Sequence, residues 1–397
     1  MLRYWKLIGI FTIIILSVGT YYVQAGLASN NYPDFSIQKI SGDDKAVEDL
    51  TLITRYVSNN HSYGDYLKIT REGSVYQSEL SYMDRLTGLY IDSEIKRLQK
   101  DYRNFMRGKG ESIPTFFENE EWLVHVGPFG IDYHETSFEV EMLDKNTKDV
   151  TSFQVNIPDK NYQYMNIQDV QMIQDELSIV TRNFYSGGPS QSDTEEFHVY
   201  RVDIGNQKII SDDVIYSNEG DYTGSEWTHL GEVNSYSSIG QEDYFVFRLD
   251  YVEQDDRADS SMHTRTEYIA YEYAANELVE IDLPDKLKGI ENIVHVNGST
   301  IYFIETKEEE LQITAYHIEN QELNTIDIQT TEEVYDMNYF PIVKNGNMYI
   351  TNFGDEGANV LVIDTETEEL LYEGKVESTD QQSFKDGYLD FNQIIVE

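Results

Sequence analysis

Six windows along the chain repeat one short pattern. An alternating strand leads into a turn that carries Asn or Thr near its end, and a second strand follows. Asp and Asn or Thr at these positions hydrogen-bond the reversing backbone, so a tight turn forms without a glycine. The second position of the window recurs at intervals of 60, 59, 70, 44 and 47 residues, at Asp84, Asp144, Asp203, Tyr273, His317 and Asp364. The pattern predicts an all-β chain of repeated antiparallel hairpins.

A third strand precedes each hairpin, where Gly or an acid stands ahead of an aromatic-rich run, as in 64–69 and 242–247. A seventh copy of this strand lies at 386–391, and we expect the strand at 35–40 to complete it. Together the units resemble the β-propeller repeat of the quinoprotein-like or surface-repeat type, most closely at 360–376. That resemblance implies a propeller of about seven four-stranded blades over residues 34–397. Six or eight blades, an antiparallel sandwich and two stacked all-β domains are the alternatives.

The N-terminal segment predicts export. Arg3 and Lys6 precede an apolar run from 7 to 18, which favours a cytoplasmic N-terminus. One interpretation is a retained anchor that crosses the membrane through residues 4–23; another is a signal peptide within 1–25 that is cleaved after Ala25. A buried core helix is a third. A linker at 26–33 would then lead to the propeller at the extracytoplasmic side of a bacterial membrane, or to a secreted form.

Charge and cysteine content exclude several classes of function. The chain has 72 acidic and 29 basic residues, a formal net charge of −43, and no cysteine. Such a field repels nucleic acid, so no nucleic-acid partner is expected. The absence of cysteine rules out disulfides and thiolate metal sites.

Long connections are expected to gather on one face. Strands alternate in direction, so the loop between the middle strands of a blade and the link to the next blade leave from the same end. The sequence lengthens these connections at 92–112, 185–196, 217–228 and 253–265. Long loops on one rim favour a binding surface there.

The first of these insertions predicts an amphipathic helix over 92–109. Asp92 or Ser93 caps it, Gly108 ends it, and one side is apolar. The other side carries four candidate binding residues, Lys96, Lys100, Arg103 and Arg107. One hypothesis is a docking strip for an anionic protein or cell-wall polymer at the membrane surface, or for membrane headgroups. The alternative is a solvated helix face that offsets the acidic propeller.

The other insertions supply acidic and aromatic candidates for binding. These are Asp193, Glu195, Glu196, Asp221, Trp227, Asp255, Asp256 and Asp259. Clustered carboxylates are the ligands that calcium prefers, but no window spells a complete calcium loop. We therefore predict solvated acidic loops and no cofactor, with calcium binding as the alternative.

The sequence does not select a catalytic group. The eight histidines lack metal-binding spacing, and no Gly-x-Ser-x-Gly elbow is present. The main hypothesis is a non-catalytic binding, scaffold or regulatory protein that acts through its long-loop face. The alternative is a cell-surface glycan hydrolase or lyase that uses paired carboxylates of the propeller.

Overall fold

The computed structural model of this chain describes most of its length. The described residues are 5–29, 32–58, 64–81, 84–85, 91–131, 134–158, 162–185, 194–218, 226–233, 239–255, 260–288, 293–307, 310–330, 339–354, 357–378 and 387–396. Two α-helices have described bounds, α1 at Trp5–Ser29 and α2 at Ser93–Asp101. The other regular structure is β-strand, apart from short 3-10 turns at Asp44–Val47, Gln77–Glu79, Ile113–Thr115 and Asp285–Leu287.

The strands divide between two compact units. Unit 1 comprises residues 1–93 and 330–397, and unit 2 comprises residues 94–329. Every strand pair in the described residues is antiparallel, and the strands form six sheets, here called blades I to VI. The predicted fold class, an all-β chain of four-stranded propeller-type blades, is confirmed.

Unit 1 holds blades I and VI. Its strands are β1 Phe35–Gly42, β2 Leu50–Ser58, β3 Asp65–Thr70, β4 Gly73–Tyr76, β21 Tyr339–Lys344, β22 Asn347–Gly354, β23 Gly357–Asp364, β24 Leu370–Ser378 and β25 Gly387–Val396. Blade I has the order β25-β2-β3-β4, and blade VI has the order β1-β24-β23-β22-β21. Each blade therefore takes one strand from the far end of the chain.

Unit 2 holds blades II to V, each with its four strands in sequence order. Blade II is built from β5 Phe116–Glu118, β6 Trp122–Ile131, β7 His134–Asp144 and β8 Val150–Asn156. Blade III is built from β9 Tyr164–Ile173, β10 Glu176–Tyr185, β11 Thr194–Asp203 and β12 Lys208–Ser217. Blade IV contains β13 Glu226–Glu232, β14 Tyr244–Asp255, β15 Ser260–Glu272 and β16 Glu277–Glu280, and blade V contains β17 Ile293–Asn297, β18 Thr300–Lys307, β19 Glu310–His317 and β20 Glu322–Gln329.

Apolar side chains that alternate along the strands form shared cores between neighbouring blades. In unit 2 one core joins blades II and III, a second joins III and IV, and a third joins IV and V. In unit 1 a single core joins blades I and VI, and Phe35 of β1 and Val396 of β25 both belong to it. Because each of these cores takes side chains from two blades, it depends on neighbouring blades rather than on one sheet alone.

The last two strands of blades II to VI are joined by the predicted turns. Asp144 Oδ1 accepts hydrogen bonds from the amides of Asn146 and Thr147 at 2.8 and 3.0 Å, and Asp364 and Asp203 accept equivalent bonds. Each turn ends in a residue in the left-handed region, with φ between 52 and 65°. These residues are Lys148, Gln207, Asn276, Gln321 and Glu368. The geometry matches a type I turn followed by a bulge.

Two of the six predicted windows need correction. Asp84 lies in a helical turn, where the Arg85 amide donates to the Ser81 carbonyl at 2.9 Å, and the final hairpin of blade I joins β3 to β4 instead. In blade IV the Asn276 amide donates to the Glu272 carbonyl, as the Lys148 amide does to Asp144. Glu272, not Tyr273, therefore occupies the Asp position, and the predicted window was one residue out of register.

The number of blades is also corrected. The described residues form six blades rather than about seven, because the strand taken as a seventh copy, β25, pairs with β2 and completes blade I. The N-terminal strand β1 does not pair with it. It adds a fifth strand to blade VI by pairing with β24.

The N-terminal segment is helical as far as Ser29, so residues 26–29 of the predicted linker belong to α1. Within the described part of the chain, no helix combines the length and apolar character required to cross a membrane.

Candidate functional site

The helical segment, residues 93–109, is fastened to blade II by ion pairs. Arg97 pairs with Glu94 on its own helix and with Glu118 at the end of β5. Lys145, in the β7–β8 turn, contacts the other oxygen of Glu118 at 2.9 Å. Lys109 Nζ lies 2.7 Å from Glu141 Oε2, and its side chain is only 5% exposed. Arg97 and Lys109 are therefore structural cations that hold the segment in place.

The electrostatics of these contacts agree with that role. Burial alone would raise the pKa of Glu118, but the hydrogen bonds and charges of Arg97 and Lys145 outweigh it and lower that pKa. Burial, helped by the nearby Lys109, lowers the pKa of His125 to about 4. His125 is therefore a neutral packing residue at neutral pH.

The predicted helix is shorter than expected but keeps its predicted faces. It ends at Asp101, and the chain continues through isolated turns to Gly108, whose φ is +84°. Short polar residues such as Asp101 and Asn104 compete for backbone hydrogen bonds and favour such an end. On its apolar side Ile91, Ile95, Leu98 and Phe105 are buried, and Tyr102 is half-buried.

Three of the four residues of the predicted basic strip are exposed and form no ion pair with another described residue. These are Lys100, Arg103 and Arg107, whereas Lys96 is half-buried and has interactions of its own. Lys148, exposed in the β7–β8 turn, lies over the ring of Tyr102 with its Nζ 5.5 Å from the centroid. We call Lys100, Arg103, Arg107 and Lys148 the basic patch.

This segment does not lie at the end of the blade where we expected it. Glu118 and Lys145 mark the end at which β5 turns into β6 and β7 turns into β8, the end of the short turns. The prediction that all long insertions share the opposite rim is therefore wrong for residues 93–109. Burial of its apolar side and the ion pairs to Glu118 account for the placement.

The acidic candidates are only partly described. Asp193, Asp221, Asp256 and Asp259 lie outside the described residues, and Asp255 ends β14. Trp227 lies half-buried in β13. Glu195 and Glu196 belong to β11 rather than to a loop, and both are engaged within blade III. Glu195 Oε2 lies 2.5 Å from Arg182 Nη2, and Glu196 accepts a hydrogen bond from Ser217.

Glu196 belongs to a buried cluster around His198. The imidazole, 3% exposed, contacts Asp212 through Nδ1 at 2.8 Å and Glu196 through Nε2 at 2.9 Å. It also stacks on Tyr200, and Tyr185 OH lies 3.3 Å away. Burial would lower the pKa of His198, but hydrogen bonds to the two carboxylates outweigh it and raise that pKa. His198 thus joins β11 to β12 through Glu196 and Asp212.

A second polar cluster was not anticipated from the sequence. Tyr273 OH donates to Asp169 Oδ2 at 2.6 Å, and Gln171 Nε2 donates to Asp169 Oδ1 at 3.2 Å. Gln171 Oε1 accepts the Glu242 amide at 3.0 Å, and Glu242 Oε2 accepts the Gly298 amide at 3.2 Å. Residues of blades III, IV and V therefore meet around two carboxyl groups.

Residues 239–243, here called the cross-blade segment, connect this cluster to blade II. The segment belongs to the connection between β13 and β14, and the Ile239 carbonyl accepts the Glu118 amide at 2.7 Å. The Gly240 carbonyl accepts a hydrogen bond from Gln171. The segment therefore touches blades II, III and V from its position in blade IV.

Burial perturbs the ionisation of the cluster. Burial raises the pKa of Asp169, against the opposing effect of its hydrogen bonds from Tyr273, Gln171 and the Val170 amide. Burial, with the charge of Asp169, raises the pKa of Glu242 to about 7. Burial and Asp169 also raise the pKa of Tyr273 well above its usual range. The two carboxyl groups are electrostatically coupled, so they titrate as a pair.

The sequence contained only a weak indication of the cluster around Asp169 and Glu242. Asp169 and Gln171 lie on a strand, and Glu242 and Asp243 were interpreted as polar punctuation before an aromatic strand. Their partners are far away in the chain, so local spacing does not show them.

As for metals, the described residues contain no group of three or more His, Asp or Glu side chains arranged to hold an ion.

Comparison with known proteins gives only distant similarities. No family model matches the chain, and no curated protein matches it. Among solved structures, TolB from Acinetobacter baumannii resembles it with a TM-score of 0.30 and 10% identity, over 87% of this chain and 66% of TolB. AztD from Citrobacter koseri resembles it with a TM-score of 0.33 and 13% identity, over 70% of this chain and 73% of AztD. The polysaccharide lyase Uly1 gives a TM-score of 0.39 and 9% identity, over 67% of this chain and 58% of Uly1. The chain thus spans less than two thirds of TolB and of Uly1, and similarities this remote transfer no activity.

Proposed function

We propose that this chain is an exported, non-catalytic binding protein that captures an anionic polymer at the outer face of a bacterial membrane through its basic patch. Export rests on Arg3, Lys6 and the apolar run 7–18. The segment either stays as an anchor or is cleaved near Ala25.

The observation that carries the proposal is the exposure of uncompensated cations on a rigid support. The chain has a formal net charge of −43, yet Lys100, Arg103 and Arg107 form no ion pair with another described residue. By contrast, Arg97 and Lys109 of the same segment form ion pairs that fasten it to blade II. We expect some cations of the segment to stay unpaired if they bind a partner.

The net negative charge does not prevent such binding. At physiological ionic strength the Debye length is about 8 Å, so a bound polymer senses the patch more than the distant acidic surface. The three exposed cations follow one another at spacings of three and four residues. A short row of charges suits a linear polymer with repeated phosphates better than a single compact ligand.

The first prediction tests this patch. The triple variant Lys100→Glu, Arg103→Glu, Arg107→Glu should bind poly(glycerol phosphate) at least about tenfold more weakly than the natural chain, because attraction becomes repulsion. Co-sedimentation of the full chain with the immobilised polymer, repeated at rising salt, measures the loss. Binding by the natural chain should itself weaken as salt rises.

A matched control has the same net charge. Lys45, Arg71 and Lys208 are exposed and lie outside the segment. Their joint replacement by Glu should leave binding unchanged. Equal losses in the two triple variants would mean that overall charge, not the patch, governs capture and would contradict the proposal.

A glycan hydrolase or lyase is the second candidate, favoured by the coupled carboxyl groups of Asp169 and Glu242. A carboxyl group with a pKa near neutrality is the type that acts as a general acid. However, Asp169 is already engaged by Tyr273, Gln171 and the Val170 amide. Turnover of a cell-wall glycan that Glu242→Gln abolishes would establish the enzyme over the binding protein.

A further inference from the structure

The cross-blade segment, residues 239–243, is hydrogen-bonded to three other blades. The Ile239 carbonyl accepts the Glu118 amide of blade II, and the Gly240 carbonyl and Glu242 amide bond Gln171 of blade III. The Glu242 carboxyl group accepts the Gly298 amide of blade V. Glu242 is therefore the side chain that ties this segment to blade V.

The groups that face Glu242 are unfavourable to a second negative charge. Asp169, on β9, is the carboxyl group whose charge most raises the pKa of Glu242, and it is fixed by Tyr273 and Gln171. Asp243 contributes a further negative charge from the segment itself, and Tyr273 is a neutral phenol. Among these groups, only the Gly298 amide stabilises the ionised form of Glu242, because it donates a hydrogen bond to the carboxyl group.

We propose that the cross-blade segment is a proton-controlled latch, which stays attached across the blades while Glu242 is protonated and loosens when Glu242 and Asp169 are both ionised. The proton passes between the Glu242 carboxyl group and solvent, and no other reactant takes part. The inference does not depend on the partner proposed above.

The direction of the pH effect follows from linkage. A carboxyl group whose pKa is raised in the attached state binds a proton more tightly there than when the segment is free. Attachment therefore weakens as pH rises from the ordinary pKa of a free carboxyl group to about 7, the pKa of attached Glu242, and the effect levels off above that value. For a free carboxyl group with an ordinary pKa, linkage gives about a tenfold rise in opening between about pH 6 and about pH 8.

Hydrogen exchange of the full chain tests the latch, and this is the second prediction. After correction for the intrinsic pH dependence of exchange, the amides of residues 239–243 and of Gly298 should exchange about tenfold faster at about pH 8 than at about pH 6. In Glu242→Gln, whose side chain cannot ionise, the corrected rates should be the same at both pH values. Glu277→Gln, an exposed substitution at the start of β16, should behave as the natural chain.

Two results would overturn the latch. One is a natural chain whose corrected exchange in this segment does not change with pH, and the other is a Glu242→Gln variant that keeps the same change. If circular dichroism shows that Glu242→Gln is unfolded, Asp169→Asn decides the question. Removal of the Asp169 charge should move the midpoint of the transition to lower pH, and an unchanged midpoint would contradict the proposal.

Discussion

The His198 side chain bridges two carboxylates on neighbouring strands. Asp212 and Glu196 hold the two ring nitrogens, so the imidazole stays oriented between β11 and β12. The two carboxylates would repel each other without the cation between them. His198 lies within β11, and its surroundings are those of a structural histidine.

The third prediction concerns this residue. Replacement His198→Gln should destabilise unit 2 by about 2 kcal/mol, because it leaves Glu196 and Asp212 without their shared cation. Since the folded pKa of His198 is raised, its contribution is fully present below the unfolded pKa and is lost as pH rises through the folded pKa. Urea unfolding should therefore show a difference between the natural chain and the variant that shrinks toward alkaline pH.

A pH-independent difference would mean that His198 acts through packing alone. Thr264→Ser, a mild change on the exposed surface of blade IV, is a suitable control and should alter stability by less than about 0.5 kcal/mol at every pH.

Single residues also show how far the sequence could predict the site. It selected Lys100, Arg103 and Arg107 as a basic strip, and the structure leaves them exposed. It could not separate them from Arg97 and Lys109, which pair with Glu118 and Glu141. Both acids lie on other elements, and spacing along one helix carries no information about them.

The turns between the last two strands are the element that the sequence predicted best. Asp144, Asp203 and Asp364 accept the expected backbone hydrogen bonds because an Asp side chain reaches only the amides that directly follow it. Glu272 and His317 replace this Asp in blades IV and V, so the sequence pattern is weaker there. The register error at Tyr273 follows from that loss.

The fourth prediction uses the left-handed residue that ends each turn. Gln321 has φ of 57°, a conformation that glycine adopts without steric cost, and its amide bond to the His317 carbonyl does not need a side chain. Gln321→Gly should therefore stabilise the protein by about 1 kcal/mol in chemical denaturation. Glu319→Gly, in the same turn but outside the left-handed residues, should destabilise it by about 0.5–1 kcal/mol.

If both glycine variants lost stability, the backbone of the turn would differ from the one described. The comparison is a matched one, since Glu319 and Gln321 are both exposed and lie two residues apart.

At the scale of the whole molecule, the blades are stabilised by cores that they share with their neighbours. Blades I and VI bury one cluster together, and β25 contributes Leu389, Ile394 and Val396 to it. The sequence predicted that a terminal strand would complete a blade, yet it chose β1 as the partner of β25. Alternation along a strand identifies its buried face but does not identify the strand beside it.

The fifth prediction tests this core. Ile394 is 7% exposed and pairs with Leu52, so Ile394→Ala should destabilise unit 1 by about 2–4 kcal/mol through the cavity it leaves. Hydrogen exchange resolved by peptide should show loss of protection in strands of both blade I and blade VI. Tyr388→Ala, at a position that is 50% exposed on the same strand, should change stability by no more than about 0.5 kcal/mol.

Loss of protection confined to β25 and β2 would show that the two blades do not share a cooperative core.

The cross-blade segment in unit 2 likewise depends on contacts between elements that are distant in the chain. Its contacts with Glu118, Gln171 and Gly298 span residues remote in sequence, so no local pattern could have predicted them.

The pairing of β25 with β2 also constrains how the chain is made. Blade I cannot be completed until the ribosome has synthesised the chain through Val396, although β2 to β4 emerge early. Throughout that interval the β2 edge offers unpaired backbone groups to any other extended chain. Loop closure over so many residues is slow, so we expect blade I to stay incomplete for that interval. A chaperone that shields this edge during translation should therefore raise the yield of folded protein.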